Sequence, residues 1–107
     1  MVLGLSATTA VAEAKWQKPI AMACDLEPGG ICNVEAVCPE DAPWVVAGGG
    51  GIPKAEPEDN AVAMTMNLAI NEKTWRVRWR NLSGEDRVKG KFAVRIKCAT
   101  SAEEAGW

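Results

Sequence analysis

From Trp75 to Arg80 the chain reads Trp-Arg-Val-Arg-Trp-Arg, with apolar and cationic residues in unbroken alternation. An extended strand sends successive side chains to opposite faces. This hexapeptide therefore has one face of Trp75, Val77 and Trp79 and another of Arg76, Arg78 and Arg80, which suits a β-strand with one side buried. The same period recurs on either side. Val62, Met64, Met66, Leu68 and Ile70 alternate with Ala63, Thr65, Asn67 and Ala69, which predicts a strand whose first set faces the core. Phe92, Val94, Ile96 and Cys98 alternate with Ala93, Arg95 and Lys97. Asn71-Glu72-Lys73 has turn composition and makes the first two of these runs a hairpin, and the polar stretch from Ser83 to Gly90 precedes the third.

Upstream, Ile20, Met22, Cys24 and Leu26 alternate, as do Val34, Ala36 and Cys38, with turns at Glu27-Pro28-Gly29-Gly30 and at Pro39 to Pro43. Trp44-Val45-Val46-Ala47 is a short apolar run ending at Gly48-Gly49-Gly50-Gly51. Lacking a following Lys-Ser/Thr and helix, the glycines read as a bulge or bend where a backbone passes close to another strand rather than as a phosphate loop. Pro53 to Asn60 reads as a polar loop. No stretch after residue 15 sustains a 3.6-residue apolar period. Strands with a single apolar face close a core only against another sheet. The expected fold is therefore all-β, a small antiparallel β-sandwich or barrel of about six strands. At 107 residues the chain has room for one domain, expected over 15–100, with residues 101–107 as an acidic tail.

Residues 1–14 are small and apolar and close on Ala12-Glu13-Ala14, an A-x-A pattern that marks a signal-peptide-like segment too short to span a bilayer. Export to the periplasm or beyond gives the four cysteines an oxidising setting. Cys24, Cys32, Cys38 and Cys98 allow three pairings. Strand placement favours Cys24–Cys32 across the Pro28-Gly29-Gly30 turn and Cys38–Cys98 between two core-facing positions. The spacings lack C-x₂-C pairs, so neither zinc nor thioredoxin-like redox chemistry is expected, and no metal or other cofactor is implied.

Cys38-Pro39, the run from Trp44 to Gly50, Trp75, and the strand from Phe92 to Cys98 together resemble a recurrent exported bacterial domain. In that pattern a Cys-Pro opens a strand, a glycine run follows, and a Trp strand and a strand ending in Cys close the unit. The resemblance spans roughly residues 34–99. It implies a disulfide-closed, mostly β domain of secreted or surface proteins without a settled activity, and it points to the same Cys38–Cys98 bridge. The acidic turns and the additional Cys24 and Cys32 depart from the pattern.

The chain has no histidine, which removes serine triads, Cys–His pairs and imidazole metal sites. Glu56, Glu58 and Asp59 lack the ligand order of a calcium loop, and Asp25 with Glu27 has no partner base, so these acids read as solvated turn residues. A non-enzymatic role follows as the expectation. The net charge of −2 conceals a separation: residues 73–97 hold nine cations against two acids, whereas residues 13–72 hold three against ten. Were the strand of Arg76 to pair with that of Arg95, then Arg76, Arg78, Arg80, Arg95 and Lys97 would share one solvent-facing surface suited to an anionic polymer, an acidic protein or an envelope component. The competing reading has these cations paired with the chain's own acids. Nucleic acid is disfavoured, because the aromatic face of Trp75 and Trp79 is expected to point into the core, leaving Trp44 and Trp107 as the candidates for exposure. Asn81-Leu82-Ser83 matches a glycosylation sequon. The expected function is an exported binding or interaction module, with a structural surface component second and a small enzyme or enzyme inhibitor third.

Overall fold

The computed structural model describes residues 14–57 and 61–107, so the reading of residues 1–14 as a signal-peptide-like segment lies, but for Ala14, outside the described residues. Seven strands and one helical turn follow in order: β1 (Lys15–Trp16), β2 (Ile20–Leu26), β3 (Ile31–Val37), β4 (Trp44–Glu56), β5 (Val62–Asn71), β6 (Thr74–Asn81), β7 (Val88–Ala99) and α1 (Ala102–Ala105). They form two antiparallel sheets. In the front sheet β7 is central, with β4 along one edge and β1 and β2 in succession along the other. In the back sheet β6 is central between β3 and β5. The fold is an all-β sandwich, as the alternation predicts.

The two central strands supply most of the core. Val77 and Trp79 of β6 face Val88, Phe92, Val94 and Ile96 of β7, all at most 2% exposed. The rings of Trp79 and Phe92 meet across the sheets at 5.2 Å between centroids, tilted by 52°. Burying side chains of this size contributes on the order of 1.5–3 kcal/mol each. Both disulfides cross the same gap. Cys24 of β2 bonds Cys32 of β3, and Cys38, the residue after β3, bonds Cys98 of β7, so each bridge ties the front sheet to the back.

The glycine run lies inside β4, and its two faces have different causes. A Cβ on Gly48 would come within 2.3 Å of the Trp75 ring, and one on Gly50 within 2.7 Å of Val77. Those two glycines therefore let the back-sheet side chains lie directly on the β4 backbone. Gly49 and Gly51 point outward, where a Cβ would meet nothing within 4 Å. The close approach is as expected; the four glycines themselves pair in register with Ile96 to Ala93, and the register shifts lie on either side of them, between Val45 and Ala47 and between Gly51 and Lys54. β4 continues to Glu56, so Pro53 to Glu56 is strand rather than loop, with Pro53 inside a register shift that spares the sheet its missing N–H.

Three further expectations are corrected. The presumed core face of β5 is broken by register shifts between Met64 and Met66 and between Ala69 and Asn71. Each shift inserts one residue, and one residue exchanges the faces of a strand. Beyond the first shift Ala69 therefore packs on the core while Leu68 faces outward opposite Arg76, and Ile70, itself an inserted residue, stays exposed. Ahead of that shift Val62 packs on the core, and Met64 is exposed although it stands opposite the buried Trp79. In β2, Leu26 is buried but Ile20 and Met22 remain 46% and 49% exposed, although they align with the buried Val94 and Phe92. β7 begins at Val88, so Val88 to Gly90 belong to the strand and not to the preceding polar stretch, and Lys91 lies within the strand as well.

Asn81 is fully buried. Its Nδ2 donates to the carbonyls of Leu26 (3.0 Å), Glu27 (3.3 Å) and Asp86 (2.7 Å), and its Oδ1 accepts from the Ser83 N–H at 3.0 Å. The sequon asparagine is thus a knot joining the β2–β3 turn to the β6–β7 connection, with no amide nitrogen presented to solvent.

Candidate anionic-ligand face

β6 and β7 lie in different sheets, so the five cations singled out in the sequence do not share a surface. Arg76, Arg78 and Arg80 occupy the outer face of the back sheet, and Arg95 and Lys97 the outer face of the front sheet. The back-sheet arginines are largely engaged by the neighbouring strand. Arg76 Nε donates to Glu35 Oε2 at 2.6 Å, and Arg78 Nε donates to Asn33 Oδ1 at 2.7 Å. Glu35 and Asn33 stand directly opposite them in β3. Met66 and Leu68 of β5 flank Arg78 and Arg76 on the other side. Arg76 and Arg78 are therefore engaged through β3 rather than through the acidic loops, whereas Arg80 stands opposite Ile31 with no carboxylate partner among the described residues.

The front face has a different composition. Residues opposed in an antiparallel ladder share a face, so the register reads out its rows. Lys89 lies between Asp25 and Glu56, Lys91 between Ala23 and Lys54, Ala93 between Ala21 and Gly51, and Lys97 between Trp16 and Ala47, with Arg95 opposite Gly49. Carboxylates occur only in the Lys89 row, and there Asp25 also accepts from Arg87 Nε at 2.6 Å. Above that row Lys54, Lys91, Arg95 and Lys97 stand around a floor of alanine and glycine. Among the described residues the only ion pairs are Arg76–Glu35 and Arg87–Asp25, so these four cations have no carboxylate partner there. Lys54 and Lys91 are directly opposed like charges, an arrangement that disfavours the sheet.

Trp16 completes the face. β1 is only two residues long, anchored by its pairing with Lys97 and Cys98 and continued by the Gln17 N–H to the Ile96 carbonyl at 2.8 Å. This register lays the indole beside β7, with Arg95 Cζ 4.3 Å from the ring centroid and Lys97 Nζ at 5.9 Å. Trp16 is 46% exposed. Between Trp16, Pro19, Gly49, Gly51, Pro53, Ala93 and Arg95 lies a hollow of about 390 Å³. A second of similar volume lies on the same face over Ala23, Asp25, Lys54, Glu56, Lys89 and Lys91.

Four residues of this face, Trp16, Lys54, Lys89 and Lys91, were not among the expected site residues. The lysines of β7 carry a signal, since Lys89, Lys91, Arg95 and Lys97 keep one parity against Val88, Phe92, Val94 and Ile96. Trp16 has none, because a two-residue strand leaves no periodicity. Of the tryptophans expected to be exposed, Trp107 is 55% exposed while its Nε1 donates to the Val45 carbonyl at 2.8 Å, and Trp44 is half-buried. Trp79 lies in the core and Trp75 packs against it, as expected.

No protein family, curated protein or solved structure matches the chain. Among the described residues no helix is long and apolar enough to cross a membrane.

Proposed function

We propose that this chain is an exported, non-catalytic binding module that takes an anionic polymer on the outer face of its front sheet. The observation that carries the reading is the cluster of Lys54, Lys91, Arg95 and Lys97, which has no carboxylate in its rows. Opposed like charges cost the free protein stability, and a polyanion relieves that repulsion while shedding its own counterions. From Lys91 to Lys97 the row extends about 20 Å at the rise of an extended strand, long enough to contact several charged units of a chain. Export is supported by the two inter-sheet disulfides, by the A-x-A pattern, and by the resemblance of residues 34–99 to an exported bacterial domain. A structural surface component is the second reading, favoured by the exposed Ile20 and Met22 of β2, and it requires self-association that persists in high salt.

The test is retention of the oxidised protein on a heparin-like polysaccharide across a salt series. The wild type should bind at low ionic strength, with log affinity falling against log salt at a slope of about −3, as expected when about four cations displace counterions. The double variant Lys91→Glu/Arg95→Glu should lose at least about tenfold in affinity, whereas Arg80→Glu on the back sheet should stay within about twofold. Equal retention of the wild type and the double variant contradicts the reading.

A further inference from the structure

The geometry points to the hollow between Trp16 and Pro53 as the seat of one anionic sugar unit, a uronate or sulfated ring of a polysaccharide. This inference rests on the function proposed above and names its ligand class. It starts from two glycines that the fold does not require. Gly48 and Gly50 are held small by Trp75, Val77 and Trp79, but Gly49 and Gly51 have open space where a Cβ would stand, and neither has the left-handed φ that favours glycine. Glycine within a strand weakens it, and β-branched side chains are favoured at such positions. What the two missing side chains leave behind is the hollow itself, which any larger residue at 49 or 51 would begin to fill.

The wall of the hollow supplies a charge held in position. Arg95 lies opposite Gly49 and over the Trp16 ring, and among the described residues it has no carboxylate or amide acceptor, in contrast to Arg76, Arg78 and Arg87. An arginine resting on an aromatic ring keeps its fork of N–H donors available, and that fork matches the two oxygens of a carboxylate or sulfate. The remaining lining is apolar and flat: Trp16, Pro19, Pro53 and Ala93. A sugar ring has a C–H face for that lining and an acidic group for Arg95, whereas a chain of bare phosphates has only the charge. Lys54, Lys91 and Lys97 are placed to meet the neighbouring acidic groups of the same polymer.

The experiment compares a heparin-like polysaccharide with polyphosphate, by calorimetry, on the wild type and on Gly49→Val/Gly51→Val. The paired valines should leave the melting temperature unchanged or raise it, weaken polysaccharide binding at least tenfold, and leave polyphosphate binding within twofold. Gly49→Ala/Gly51→Ala, one methyl at each position, replaces the valine pair if that variant folds poorly. Arg95→Lys, which keeps the charge and loses the fork, should weaken the polysaccharide more than the polyphosphate. Unchanged polysaccharide affinity in the glycine variants, with Lys91→Glu/Arg95→Glu still weakening it, overturns the sugar subsite and leaves the cationic face standing. Equal loss of both polyanions in the glycine variants overturns the sugar assignment. Failure of the wild type to bind either polymer overturns the underlying reading and the subsite with it.

Discussion

Replacing Cys38 and Cys98 together with alanine should lower stability by about 4 kcal/mol and the melting temperature by roughly 15–30 °C. The bridge spans a sequence separation of 60, which makes it the dominant restriction on the unfolded chain, against a separation of 8 for Cys24–Cys32. Loop-closure entropy gives the shorter bridge only about 2–3 kcal/mol, so loss of Cys24 and Cys32 should be the milder change. Packing adds to the contrast. Cys98 is 1% exposed and Cys38 6%, and alanine there leaves space between the sheets. Denaturant melts of the two double variants under identical conditions check the order. A larger loss from the Cys24–Cys32 pair would mean that the sandwich is held chiefly at its β2–β3 edge.

Asn81→Ala should cost about 3 kcal/mol although it removes only one polar side chain. It strips donors from the carbonyls of Leu26, Glu27 and Asp86 at a fully buried position, and a buried group left unsatisfied costs about 1–3 kcal/mol. Asn81→Asp should be worse than alanine, because a carboxylate sets oxygen against three carbonyl oxygens and buries a charge without a partner. Urea denaturation ranks the variants as wild type, then alanine, then aspartate. An alanine variant within about 0.5 kcal/mol of wild type, the range of ordinary surface changes, would show that the knot is dispensable.

The sandwich was legible because β6 and β7 are long, regular and buried on one side. Such strands repeat one parity, and Trp75, Val77, Trp79, Phe92, Val94 and Ile96 declare it in the sequence. The bulged strand was not. Thr65 and Ile70 look like any other members of β5, and only the pairing with β6 identifies them as inserted residues, the first of which sets Met66 and Leu68 opposite Arg78 and Arg76 on the outer face. The division of cations between two faces was likewise hidden. It depends on the connection after Asn81 carrying the chain across the core to the other sheet, a choice between sheets that alternation cannot encode. The glycine run was half legible. Its close approach to another strand follows from glycine alone, but which two glycines face Trp75 and Trp79 depends on the β4 register. Of the front-face cluster only Arg95 and Lys97 were legible, because the face is built from rows across β1, β2, β7 and β4, and no single segment contains more than part of a row.

Backbone and indole amide shifts, followed by NMR while a heparin-like oligosaccharide is added to the oxidised protein at low salt, locate the binding face directly. The front-sheet account predicts the largest changes at Gly49, Gly51, Ala93, Arg95 and Lys97 and at the Trp16 indole N–H, with a smaller set around Lys54 and Lys91. Changes concentrated on Arg76, Arg78 and Arg80 of β6, with the β7 amides and Trp16 unmoved, would contradict it.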